Sequence, residues 1–153
     1  MIRAIRALPS TKIDEERFRS LSIGSSFDRR GVEETITPMQ YMALIYDSEQ
    51  TLAAMSPKDR EQFMGDYMAF TKAARDAGVF VAGDALKGVD TATTIRVRSG
   101  ETLHTDGPFA ETKEQLGGYY LLECKDLDEA LAWAAKIPSA KTGSIEVRPV
   151  MVW

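Results

Sequence analysis

The chain has one cysteine, one histidine and no excess of positive charge. Each shortage closes a class of function. A lone Cys124 can form no intramolecular disulfide and no cysteine-based zinc site. It fits a reducing compartment, so the expected location is the cytoplasm. His104 is the only imidazole, and any histidine chemistry must pass through it. Lys and Arg number 19 against 23 Asp and Glu, for a net charge of -4, so the basic footprint of a direct nucleic-acid binder is missing. No apolar run approaches the roughly 20 residues that span a bilayer, and the N-terminal stretch lacks the apolar core of a secretory signal. No glycine-rich phosphate loop of the P-loop or dinucleotide type is present. Neither a metal nor a cofactor is expected, and neither nucleic acid nor membrane is an expected partner.

What remains is an ordinary globular composition, 44% hydrophobic and 27% charged over 153 residues, which suits one domain with its own core. The first 38 residues differ from the rest. They hold seven basic residues against six acids, and no helical or alternating pattern is sustained in them. The acids Asp14, Glu15 and Glu16 argue against a transit peptide. Residues 1–38 are therefore expected to be an extension outside the core, with a compact domain over 39–153.

From Met39 the chain alternates strand and helix signals. Met39 to Tyr46 is an almost continuously apolar run that reads as a central strand. Thr51 to Met55 leaves room for one helical turn. Ser56-Pro57 is an N-cap followed by proline at the first helical position. Phe63, Tyr67, Phe70, Ala74 and Ala77 then form one stripe, which Gly78 ends. Val79 to Gly83 reads as a strand. Thr93 to Arg98 alternates, with Ile95 and Val97 on one face and Arg96 and Arg98 on the other. Thr102 to Thr105 is a short strand, and Gly118 to Lys125 a longer one. Asp126 and Glu129 make a capping box. Leu127, Ala130, Leu131 and Ala134 are the expected buried stripe of a second helix, terminated by Pro138. Ser144 to Val152 closes the chain, with Ile145 and Val147 inward.

This order predicts an α+β domain of the ferredoxin-like, split βαβ kind, with an antiparallel sheet of four or five strands and two helices on one face. The other face carries enough apolar residues to need cover, so a homodimer stacked sheet on sheet is expected.

The most unusual stretch runs from Asp106 to Tyr120. Asp106-Gly107-Pro108 is a turn signal, since glycine permits positive φ and proline fixes φ. Gly117-Gly118 allows close backbone approach before an aromatic strand. Long ordered connections are often functional, so this loop is read as the lip of a pocket for a small polar or anionic ligand. Asp106 is either a general base or a residue of an Asx turn. His104, two residues earlier, shares its strand face and is either an acid–base partner or an exposed strand histidine. Phe109, Glu111 and Lys113 are candidate ligand contacts. Arg96 and Arg148 suit an anion through their planar forks if their faces line a cleft.

Asp106-Gly107-Pro108-Phe109, continued by Ala110-Glu111-Thr112-Lys113-Glu114 and Gly117-Gly118-Tyr119, resembles the DGPF motif of YCII-related proteins. Tyr41 to Tyr46, Ala77-Gly78, Asp128-Glu129-Ala130 and Ile145 to Val150 fit as well. The resemblance covers about Met39 to Trp153. It implies a dimeric α/β-barrel of ferredoxin-like protomers. It also implies a role that is mostly unassigned, with some members encoded or fused beside alternative sigma factors, so the alternative to a ligand site is a regulatory module tied to transcription. In related YCII proteins proposed to be enzymes, a histidine of a His–Asp pair lies in the first helix. By spacing from Gly78, the matching position here holds Asp66.

Overall fold

The computed structural model describes residues 37–151. Strand β1 (Met39–Asp47) leads through the short helix α1 (Glu49–Ala53) into α2 (Pro57–Asp76) and β2 (Phe80–Ala85). Strands β3 (Thr93–Arg98) and β4 (Glu101–Asp106) follow, then β5 (Gln115–Cys124), α3 (Leu127–Ala134) and β6 (Ser144–Pro149). Single 3₁₀ turns sit at Val89–Thr91 and Pro138–Lys141. The fold is α+β and ferredoxin-like. The expectation for the N-terminal extension rests on residues that, up to Ile36, lie outside the described ones. No helix among the described residues is long and apolar enough to cross a membrane.

Four strands form one sheet in the order β2-β5-β1-β6, every neighbouring pair antiparallel. The expected single sheet is corrected in one respect. β3 and β4 pair only with each other, as a separate two-stranded hairpin. Alternation in Thr93–Arg98 marks a strand but does not say which sheet it joins.

Period-two patterning decides the core. Tyr41, Ala43 and Ile45 of β1 and Tyr120, Leu122 and Cys124 of β5 point to one face and are buried there. Phe70 of α2 and Ala130 of α3 pack onto that same face, with Ile137 below them. Both helices thus cover one side, and Ile145 and Val147 of β6 pack inward against this cluster. Phe70 lies edge-on to Tyr120, with ring centroids 4.9 Å apart, an arrangement worth about 0.5–1.5 kcal/mol beyond the area buried. Met42, Leu44, Tyr46, Tyr119 and Leu121 alternate to the opposite face and are only partly buried. β1 is therefore central but fully buried on one face only.

The caps are where the sequence places them. The Ser56 hydroxyl accepts from the Asp59 amide at 3.2 Å, with Pro57 next to it. Asp126 accepts from the Glu129 amide at 2.8 Å. The return bond of the box runs one residue further back than expected, from the Lys125 amide to the Glu129 carboxylate at 2.8 Å. The stripe of α3 also differs from expectation. Ala130 and Ala134 are buried, but Leu127 and Leu131 are exposed and Trp133 packs against the core in their place. Small residues let the helix sit close to the sheet, and the ring of Trp133 reaches Phe70 at 6.2 Å.

Candidate functional site

The loop from Gly107 to Glu114 is fixed at several points. Gly107 has φ of 93°, which favours glycine. Its amide donates to the Ala92 carbonyl at 2.8 Å, and the Thr94 hydroxyl donates to its carbonyl at 2.8 Å. At the far end, the Gln115 side chain donates to the Thr112 carbonyl and accepts from the Glu49 amide. The Glu49 carboxylate in turn accepts from the Val89 amide at 2.8 Å. Gly118 is needed because a Cβ there would meet the Asp84 carbonyl at 2.7 Å.

Pinned in this way, the loop walls a cavity of about 900 Å³. Pro108, Phe109, Leu116, Val89 and Leu86 supply apolar surface, and Lys113, Lys87, Glu114 and Glu146 supply charge. Phe109 stands at this wall with 80% of its surface exposed.

The structure brings some of the candidate residues together and leaves others apart. Phe109 and Lys113 line the cavity. Glu111 and Lys113 line an adjoining hollow of about 610 Å³ beside Ser48 and Gln50. Glu111, Lys113 and Glu114 form no ion pair with one another among the described residues. Arg96 reaches the Phe109 carbonyl at 3.4 Å, so it buttresses the loop from behind. Arg148 pairs with Glu146, which lines the cavity, while Arg148 itself does not. His104 and Asp106 do share one face of β4, opposite Ile95 and Thr93. Both are exposed, and neither is on the wall of this cavity or of the adjoining hollow. Asp106 makes no side-chain hydrogen bond there, so the Asx turn does not form. The described residues hold no group of three or more His, Cys, Asp or Glu arranged to bind a metal.

A second cavity, of about 680 Å³, lies between α2 and the β2–β5 end of the sheet. Its polar residues carry no motif in the sequence. The Tyr67 hydroxyl donates to Ser139 Oγ at 2.8 Å, and Thr71 and Tyr120 share a hydrogen bond of 2.7 Å. Asp47, buried at the end of β1, also lines it. Tyr67 falls in the apolar stripe of α2, and Asp47 is the last residue of β1. The one local signal was a carboxylate in phase with the buried row Tyr41, Ala43, Ile45.

A family profile, the YCII-related domain, matches residues 39–153. The chain belongs to the YCII-related family. An uncharacterised protein of Rhizobium meliloti (strain 1021) is 42% identical over 117 residues, 75% of this chain and 94% of that relative.

Proposed function

We propose that the protein binds a small ligand, anionic or polar at one end, in the cavity walled by the 107–114 loop. The observation that carries this reading is the cavity itself. Its volume of about 900 Å³ and its mainly apolar wall with a few charged side chains match the size and lining of small-molecule sites, roughly 300–1,000 Å³. Lys113 and Lys87 offer ammonium groups to an anion. Phe109, Pro108 and Leu116 offer surface to an apolar body. Glu114 and Glu146 disfavour a second negative charge. Binding of this kind needs no chemistry at His104 or Asp106.

The test is thermal shift with a panel of small monocarboxylates, since a ligand at 100 times its Kd adds about 2.7 kcal/mol of stability. Lys113→Ala and Phe109→Ala are expected to weaken binding about tenfold each, and Asp106→Asn to leave it unchanged. No shift from any panel member, or a shift insensitive to Lys113 and Phe109, rejects the reading. A large loss on Asp106→Asn with stability kept would make Asp106 a base or charge anchor instead.

The same reading includes a homodimer in which the face bearing Met42, Leu44 and Leu121 stacks on its copy. Apolar residues on a half-covered sheet support it, and a monomer at micromolar concentration by light scattering would reject it. A second reading, a regulatory module acting through protein contacts, is favoured by the exposed Ile95, Val97 and Leu103 of the β3–β4 hairpin.

A further inference from the structure

The cavity beside α2 is a site of different character. Among the described residues, Leu86 alone lines both cavities. Asp47 lines the second one although only 4% of its surface is exposed, so the residue lies at the inner end. One of its oxygens accepts from the Ser48 amide at 2.9 Å, the other from the Thr142 hydroxyl at 2.7 Å. Both donors are neutral, and together they use two of about four lone-pair positions. Among the described residues no cation pairs with Asp47. The two cations on the wall are engaged elsewhere. Lys72 is bound to Asp76 at 2.5 Å, and the Arg75 guanidinium lies over the Phe80 ring, 4.6 Å from its centroid. A buried carboxylate without a counter-charge is costly, and a cation that enters beside it recovers that cost.

The rest of the wall is suited to such a cation. Phe63, Tyr67 and Tyr120 present aromatic rings, whose faces attract organic cations. Met64 and Met68 add polarizable thioethers that adapt to an alkyl chain. Burial pushes the Tyr67 phenol above its ordinary value of 10.0, and the charge of Asp47 adds to the push, so the hydroxyl stays protonated. We propose that this second cavity binds an organic ammonium ion, with its charge against Asp47 and the tyrosine rings and its apolar body along Met64, Met68 and Leu52.

The test is calorimetry on the full chain with hexylammonium and 1-hexanol, which match in body and differ in charge. Hexylammonium is expected to bind at least tenfold more tightly than hexanol. Asp47→Asn is expected to remove that preference. Its amide oxygen still serves Ser48, and its N–H can meet a Thr142 hydroxyl turned round to accept. Met68→Lys changes a residue 67% exposed, keeps the fold and puts a positive charge at the opening. It is expected to weaken the ammonium at least tenfold and hexanol much less. Absence of ammonium binding, equal affinity for the two probes, or ammonium affinity unchanged in a folded Asp47→Asn or in Met68→Lys overturns the proposal. If Asp47→Asn does not fold, Met68→Lys decides alone.

Discussion

The four-stranded sheet and the β3–β4 hairpin are built from the same alternating grammar and end differently. In β1 from Tyr41 and in β5 from Gly118 every second residue is buried, on the face that α2 and α3 cover. In the hairpin Ile95, Val97 and Leu103 remain 60%, 58% and 49% exposed. Alternation in a strand decides which side chains share a face. It does not supply the layer that covers the face, and a lone two-stranded ribbon is marginal in water. The helices exist to cover the sheet, and nothing among the described residues does this for the hairpin. The hairpin serves instead to hold the 107–114 loop, through Ala92, Thr94 and Arg96.

This contrast can be broken or sharpened by experiment. The largest effect is expected at Leu122, which is 1% exposed at the centre of the helix-covered face. Leu122→Ala should cost about 2–5 kcal/mol in urea unfolding, through lost transfer energy and the cavity left behind. A cost below about 1 kcal/mol would mean that the covering layer collapses into the gap.

Cys124 reports on the same layer through pH. Burial pushes its thiol up from 9.0 to about 11, helped by Glu129, Asp126 and Glu123. The raised value favours the protonated thiol in the folded state. Its contribution to stability is therefore complete below about pH 9 and is lost as pH rises toward 11. Native protein at pH 8 should resist thiol reagents that label it promptly in denaturant. Prompt labelling of the native state would place the thiol outside the covered face.

A smaller effect belongs to the cap of α3. Asp126→Ala removes the bond to the Glu129 amide and should cost about 1 kcal/mol. The smallest belongs to the hairpin. Ile95→Thr and Val97→Thr together should change monomer stability by no more than about 0.5 kcal/mol each, as exposed positions do. A combined loss above about 2 kcal/mol, or a change in oligomer size by light scattering, would show that the hairpin is covered in solution.

Much of the framework was legible because its signals are local. Ser56-Pro57 and Asp126 with Glu129 lie within one helical turn of the groups they cap. The inward rows Tyr41, Ala43, Ile45 and Ile145, Val147 follow from a two-residue period. Phe109 and Lys113 could be named as lining residues because Gly107-Pro108 marks the start of the loop, although β5 begins at Gln115, ahead of Gly117-Gly118. Other features had no local signal. Leu127 and Leu131 have the spacing of a buried stripe, yet the orientation of α3 over the sheet puts Ala130, Ala134 and Trp133 inside.

The sequence by itself determined the order of strands and helices, which side chains share a face, and that a constrained loop precedes β5, although α1 and β5 begin two and three residues earlier than expected. Those properties depend on backbone sterics and on hydrogen bonds between residues a few positions apart. Only the tertiary structure decided that the hairpin stands apart from the sheet and that Asp106 and His104 lie off the cavity wall. It alone gathered Asp47, Tyr67 and Ser139 around a second cavity. Tyr67 and Ser139 are 72 residues apart, and Asp47 and Thr142 are 95. Such pairs meet only when β1 takes its place between β5 and β6 and α2 lies across them, because strand order in a sheet is fixed by burial over the whole domain.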